Sequence, residues 1–159
     1  MATWPNAAIA TLMETCGEAV SNAAWNAILN IVFPCPTYLV APEQRLDSSR
    51  PDLTVYIVGE NGVFFPFEGK PAKFSWEKLG GEVLGYCIAA RPDAFQGYNY
   101  GMGGNGPECI ICEYDGANMR YLYIHEGELC QSDKMHVLHI FRDAAEILNV
   151  LEFVRGAHV

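Results

Sequence analysis

Two short turn sequences in the middle of the chain restrict its fold more than any other feature. Gly59-Glu60-Asn61-Gly62 separates the apolar run Leu53–Val58 from the run Val63–Phe67. Asp115-Gly116-Ala117-Asn118 follows a third apolar run, Cys109–Tyr114, and precedes a fourth. Asn-Gly and Asp-Gly pairs between runs of this kind are typical of β-hairpins. The sequence therefore predicts an antiparallel sheet built from hairpins.

Both ends of the chain have helical patterns instead. A polar stripe recurs every four residues near the N-terminus, and the remaining positions there are mostly apolar, as in an amphipathic helix. Its members are Glu14, Glu18, Asn22, Asn26 and Asn30. Gly17 is expected to divide this region into two helices, with Ser21 capping the second. Near the C-terminus, Asp143-Ala144-Ala145-Glu146 fits a capping box ahead of another helix.

Together these patterns predict an α+β fold. It consists of an N-terminal helix or helix pair, a mainly antiparallel sheet of about five to six strands, and a C-terminal helix. The length of 159 residues fits a single domain over residues 1–159. Ser75 is expected to begin one helical turn that Gly80 stops, with a strand over Glu82–Ala89. The segment Met135–Phe141 fits either a strand or the beginning of the last helix.

The charge of the chain restricts its partners. Nineteen acidic and ten basic residues give a net charge of −9, which should repel nucleic acid and anionic membranes and attract a basic protein. No Lys or Arg precedes Arg45, which argues against a secretory signal or a mitochondrial transit peptide. Asn and Pro interrupt the long uncharged run Ala19–Pro42, so no membrane span is expected. We therefore expect a soluble cytoplasmic protein whose six cysteines are free thiols.

A glycine-rich segment resembles a phosphate-binding loop in letters alone. The stretch from Gly101 to Gly106 has the spacing G-x-G-x-x-G, but a phosphate cradle needs a helix to begin directly after it. Pro107 and a β-type run follow instead. The sequence thus predicts a surface loop over Gly97–Gly106 that binds no nucleotide, with Tyr98 and Tyr100 available for recognition.

Cys109-Ile110-Ile111-Cys112 is a C-x-x-C sequence, and it is the strongest metal candidate. His136 and His139 would complete a zinc set. Residues three apart on a strand point to opposite faces, however, and the gap between the two histidines is shorter than zinc sites usually have. We therefore expect buried cysteines, no metal and no cofactor.

Cysteine chemistry gives the enzymatic alternative. A cysteine hydrolase of papain-like or leader-protease type needs a thiolate next to an imidazole. In this sequence the candidates are Cys16, Cys87, His125 and His136. A leader protease places cysteine just before a helical tryptophan, whereas Ala24 precedes Trp25 here. No cysteine carries a family-specific signature.

The leading hypothesis is therefore a non-enzymatic, acidic protein-binding domain, such as an accessory protein, a chaperone, an inhibitor or immunity protein, or a structural subunit. A helix through Asn22–Val32 is apolar on more than one face. An isolated monomer would then expose part of it, so we expect this helix to self-associate or bind a partner. Trp25, Ile28 and Leu29 are the predicted anchors. Alternatively, the chain itself covers both faces.

Overall fold

The computed structural model describes residues 7–44, 49–60, 62–90 and 97–157. This part of the chain contains four helices: α1 (Ala7–Thr15), α2 (Glu18–Val32), α3 (Trp76–Ala90) and α4 (Ala144–Gly156). It also contains eight strands: β1 (Tyr38–Pro42), β2 (Leu53–Ile57), β3 (Phe65–Lys70), β4 (Asn99–Asn105), β5 (Glu108–Tyr114), β6 (Met119–His125), β7 (Glu128–Ser132) and β8 (Leu138–His139). The predicted α+β class is confirmed, with more strands and one more helix than expected.

All strands belong to one sheet, in the order β1-β2-β3-β4-β5-β6-β7, with β8 beside β5. The pairs are antiparallel except for β3 and β4, which run parallel. A parallel pair requires a crossover connection, and α3 supplies it. Both predicted hairpins are present, as β2–β3 and β5–β6. The sheet is therefore mostly antiparallel around one parallel crossover.

Helices cover both faces of this sheet, so the core has two parts. The larger part lies under α1, α2 and α4 and includes Phe65, Phe67 and Cys109. The smaller part lies under α3 and includes Val83 and Cys112. Cys109 and Cys112 thus pack on opposite faces of β5, as the strand periodicity predicted.

The glycine-rich segment is a buried central strand, which corrects the prediction of a surface loop. Every residue of β4 is buried. A Cβ atom at Gly101 would lie 2.8 Å from Cys87 Sγ, and one at Gly103 would lie 2.9 Å from Leu79 Cγ. Glycine is therefore needed because α3 lies directly against the strand.

The helix α3 replaces the predicted turn and strand between residues 75 and 89. Its buried side chains recur three or four residues apart, which buries one helical face on the sheet. They are Leu79, Val83, Tyr86 and Cys87. Gly80 and Gly81 lower helix propensity, but the packing of this face outweighs that cost.

The helix α2 is buried by the chain itself, which corrects the predicted interface. Trp25, Ile28 and Leu29 are each at most 1% exposed. The helix contacts α1, α4 and the strands β1, β3 and β4, which cover these three side chains, whereas Ile31 is 46% exposed. The indole nitrogen of Trp25 donates a hydrogen bond to the carbonyl of Gly106 at 3.0 Å. These three residues belong to the core.

The ends of the elements differ in detail from the predicted caps. Gly17 precedes α2 without a side-chain cap, and the hydroxyl of Ser21 donates to the carbonyl of Met13. Asp143 precedes α4, and its carboxylate accepts the backbone N–H of His139. Residues 135–141 contain only the two-residue strand β8. No helix in the described residues has the length and hydropathy needed to cross a bilayer.

Candidate functional site

Two charged side chains interrupt an otherwise apolar strand. Phe65 and Phe67 of β3 are fully buried on the α2 side of the sheet. Glu68 and Lys70 alternate with them and therefore face α3. Glu68 is 5% exposed. A carboxyl group that deep must be paired or protonated, because desolvation penalises its charged form.

Asp52 lies next to Glu68 because of the strand register. The ladder between β2 and β3 ends at Leu53, opposite Phe67, and Asp52 comes directly before it. Its Oδ2 accepts hydrogen bonds from the backbone N–H of Gly69 at 2.9 Å and from Asn22 Nδ2 at 3.2 Å. The Asp52 carboxylate is thus held at the point where the two strands separate.

Gly69 allows α2 to approach this point closely. A Cβ atom there would lie 1.7 Å from Oδ1 of Asn22. This Oδ1 is buried and has no hydrogen-bond partner among the described residues. The site therefore contains an unused acceptor oxygen beside a pair of carboxyl groups.

The helix α3 contributes Tyr86, whose hydroxyl is hydrogen-bonded to Oε2 of Glu68. Burial above all raises the pKa of Glu68 to about 8; neighbouring Asp52 raises it further, while Tyr86 and Lys70 oppose the shift. Burial and the Glu68 carboxyl likewise raise the pKa of Tyr86. Glu68 therefore holds a proton at neutral pH, next to the carboxylate of Asp52.

Lys70 brings a positive charge to the same side of the sheet. Its Nζ lies 3.3 Å from Oε2 of Glu82 and 5.1 Å from the ring centre of Phe74. Burial acts to lower the pKa of Lys70, but the charges of Glu68 and Glu82 outweigh it and raise the pKa. Lys70 therefore remains a cation at neutral pH.

This set of groups suits a divalent cation together with a bound anion. Mg²⁺ is commonly held by one or two carboxylates, with waters and substrate phosphates completing its shell. A cation bound here would displace the proton of Glu68 and neutralise the charge of its carboxylate instead. No cluster of three or more His, Cys, Asp or Glu side chains able to hold a metal occurs in the described residues. In a site of this kind Asp52 and Glu68 would hold the cation, and water and substrate oxygens would complete its shell.

The residues of the cysteine hydrolase hypothesis lie in different environments. Cys87 is buried in α3, and this burial raises the pKa of its thiol to about 12. His125 is exposed at the end of β6, and His136 stacks on Tyr123 with ring centres 3.7 Å apart. Cys16 is exposed just after α1. Cys87 is therefore a protonated thiol at neutral pH and not a reactive thiolate.

The other predicted residues are also dispersed. Cys109 and Cys112 point to opposite faces and cannot bind one ion together. Nδ1 of His139 accepts backbone N–H groups at 3.1 and 3.2 Å. Tyr100 is buried in β4, whereas Tyr98, just before it, is 47% exposed. Of the two predicted recognition tyrosines, Tyr98 alone offers a substantial surface.

Sequence reasoning missed Asp52, Glu68, Lys70 and Tyr86. A usable signal was present in β3, where Glu68 and Lys70 continue the apolar run Val63–Phe67 with only Gly69 between them. Charged residues two apart in such a run share one face of a buried strand. Asp52 stands directly before a second apolar run in the same predicted hairpin.

No protein-family model matches this chain, and no curated protein matches it in sequence. Its fold is similar to that of a chain in a solved structure described as "cryoEM structure DrdV-DNA complex". The match covers 92% of this chain and 89% of that chain, with a TM-score of 0.55 and 14% sequence identity. This likeness extends over nearly the whole fold.

The structural match corrects one of our expectations. We had excluded nucleic acid as a partner because of the net charge of −9. The fold that this chain shares occurs in a protein–DNA complex, so net charge does not support the exclusion. The distribution of charge around a site matters more than the total.

Proposed function

We propose that this protein hydrolyses phosphodiester bonds of nucleic acid with the help of a divalent cation. The observation that carries the proposal is the buried carboxyl group of Glu68 beside the partly buried Asp52, with Lys70 two residues beyond Glu68 on β3. A carboxylate pair with an adjacent lysine can hold a cation and a phosphate at once. The fold's occurrence in a DNA complex supports nucleic acid as the source of that phosphate.

Each residue has a defined part in the reaction. In the hydrolysis a water oxygen bonds to phosphorus, one ester P–O bond breaks, and the leaving oxygen takes up a proton. A divalent cation held by Asp52 and Glu68 would neutralise phosphate charge and lower the pKa of water. Lys70 donates hydrogen bonds to phosphate oxygens and stabilises the extra negative charge of the transition state. Tyr86 fixes the orientation of the Glu68 carboxyl.

The local charge balance also supports a phosphate ligand. Residues 50–78 contain four basic and four acidic side chains, so this segment is neutral although the chain carries −9. They are Arg50, Asp52, Glu60, Glu68, Lys70, Lys73, Glu77 and Lys78. A cation bound at Asp52 and Glu68 would make the segment positive and attractive to phosphate.

The test is hydrolysis of labelled single- and double-stranded DNA and RNA by the full chain, with Mg²⁺ or Mn²⁺ and with EDTA. We expect cation-dependent cleavage by the wild type. Asp52→Asn, Glu68→Gln and Lys70→Met should each lower the rate by a factor on the order of 100 or more. Glu60→Gln and Lys78→Met are matched controls, because both residues are exposed and lie near the site in sequence.

Cleavage that survives in the site variants would contradict the proposal. A wild type that cleaves none of the four substrates would contradict it as well. In the latter case the non-enzymatic protein-binding function would be the proposal to pursue. Exposed apolar side chains such as Leu39 and Val58 support that function.

A further inference from the structure

A separate cavity of about 440 Å³ opens beyond the C-terminal ends of the parallel strands β3 and β4. Lys70 pairs with Asn105 at these ends, and the backbone N–H of Gly106 donates to the carbonyl of Lys70 at 2.9 Å. Ala72 and Lys73, which follow β3, line one wall. The cavity therefore lies a few residues from Lys70, and its volume is in the range of small-ligand sites, about 300–1,000 Å³.

The walls of the cavity are fixed before any ligand binds. Asn105 holds the segment between β3 and α3 through two hydrogen bonds to Phe74: its Oδ1 accepts the backbone N–H at 3.1 Å, and its Nδ2 donates to the carbonyl at 2.7 Å. Ala72 packs directly against Gly106, where a Cβ atom would lie 2.8 Å from the Ala72 Cβ. A rigid cavity loses little conformational entropy when a ligand binds.

The lining combines an aromatic ring with acceptors of hydrogen bonds. Trp76 is partly exposed at the start of α3 and contributes an indole, the kind of ring on which nucleobases stack. Glu14 and Glu108 also line the cavity, and ionised carboxylates only accept hydrogen bonds. Two carboxylates against one lysine, Lys73, in the lining favour a ring that donates hydrogen bonds over an anionic group as the ligand deep in the cavity.

We infer that this cavity binds one unpaired nucleobase that carries an exocyclic amino group. The inference rests on the proposed function, since the base would belong to the nucleic acid whose phosphodiester reaches Lys70. The base stacks on Trp76, and its amino group donates to Glu108 or Glu14, as cytosine N4 donates to a carboxylate. Lys73 lies at the wall that faces β3 and attracts the adjoining phosphate. The substrate must then present a single-stranded or extruded nucleotide.

The test compares dCMP with dTMP, two pyrimidine nucleotides of which dCMP alone carries an exocyclic amino group. Binding to the full chain is measured by isothermal titration calorimetry in EDTA, so that no divalent cation contributes to binding of the phosphate. We expect saturable binding with dCMP on the order of 10-fold tighter than dTMP. Glu108→Gln should remove most of this preference. Trp76→Leu should weaken the binding of both nucleotides on the order of 10-fold.

Two further variants keep the test decisive. Trp76→Phe retains a stacking ring and should keep most of the affinity, even if Trp76→Leu disturbs folding. Ile88→Ala is the matched control, because Ile88 is 51% exposed on the same helix and does not line the cavity. Equal binding of dCMP and dTMP, or no saturable binding of either, overturns the inference.

The inference and the proposed function fail in different ways. If the wild type cleaves nucleic acid but binds dCMP no better than dTMP, the cavity is not a base site and the proposed function stands. If dCMP binds selectively while no substrate is cleaved, the base site stands and the hydrolytic function is wrong.

Discussion

The side chains of Glu68 on β3 and Tyr86 on α3 share a hydrogen bond across eighteen residues of sequence. The contact links β3, which carries Glu68, to the crossover helix above it. Both groups are poorly solvated, and burial raises the pKa of each. The pair therefore keeps its protons at neutral pH, and any cation at Asp52 must displace the proton of Glu68.

The first prediction concerns the pH dependence of folding stability. The pKa of Glu68 is about 8 in the folded chain, against an ordinary value of 4.5. Because the folded state binds this proton more tightly, the stability it contributes is complete below about pH 4.5 and is lost as the pH rises to about 8. We expect the Tm in EDTA, measured by differential scanning calorimetry, to fall over this range more in the wild type than in Glu68→Gln.

The addition of Mg²⁺ provides a check on the same group. Proton and cation compete for the carboxyl, so Mg²⁺ should raise the Tm more at about pH 9 than at about pH 6. Glu60→Gln, at an exposed turn residue, should behave as the wild type. A Glu68→Gln variant with the wild-type pH profile would show that Glu68 does not titrate in this range.

The second prediction concerns the buried glycines of β4. A Cβ atom at Gly104 would lie 2.8 Å from Trp25 Nε1 and 2.9 Å from Phe67 Cζ, and both rings are held in the core. Gly104→Ala should therefore lower the free energy of unfolding by about 1–3 kcal/mol through overpacking. Urea denaturation followed by circular dichroism measures this loss.

A matched glycine-to-alanine substitution in α3 should change the free energy of unfolding in the opposite direction. Nothing lies within 4 Å of a Cβ atom at Gly81, and alanine favours a helix over glycine. Gly81→Ala should raise the free energy of unfolding by about 0.5–1 kcal/mol. If Gly104→Ala did not lower the free energy of unfolding, the close approach of α2 to β4 would be incorrect.

The third prediction concerns Trp25. The ring is fully buried, and its indole nitrogen is hydrogen-bonded to Gly106. Trp25→Asp should unfold the chain, because it buries an unpaired charge. The milder Trp25→Leu should cost roughly 3 kcal/mol of stability through cavity formation and a lost hydrogen bond. A folded Trp25→Asp that loses only an oligomer, as seen by light scattering and circular dichroism, would restore the interface hypothesis.

The fourth prediction concerns thiol accessibility. The six cysteines are unpaired; Cys16 and Cys35 are exposed, whereas Cys87, Cys109 and Cys112 are buried. Brief iodoacetamide treatment of the folded protein should label the two exposed thiols, and labelling in denaturant should reach all six. Mass spectrometry of the peptides identifies each site. Fast labelling of Cys87 in the folded state would revive the cysteine hydrolase hypothesis.

Several elements follow from local sequence alone. The turns at Gly59 to Gly62 and Asp115 to Asn118 predict the β2–β3 and β5–β6 hairpins, because the preferences of Gly, Asn and Asp act within a few residues. The split of the N-terminal helix at Gly17 is likewise local. The opposite directions of Cys109 and Cys112 follow from the strand period of two.

Other features depend on packing between distant residues. Local propensity predicts a loop for the glycines of β4 and a break at Gly80 in α3. In the fold, those β4 glycines let α3 lie against the sheet, and the buried face of α3 outweighs its weak propensity. The sequence predicts that Trp25 packs in an apolar environment. Whether this environment is the core or an interface depends on the neighbours of α2 in the fold.

The candidate site shows the same division. The sequence by itself determines that Glu68 and Lys70 share one face of a strand, since residues two apart always do. It does not determine that Asp52 meets Glu68, because that contact requires the register of β2 on β3. Nor does it place Tyr86 on Glu68, since the crossover through α3 brings that helix over the strand. The tertiary structure alone buries Glu68 beside Asp52, and this desolvation raises the pKa of the Glu68 carboxyl.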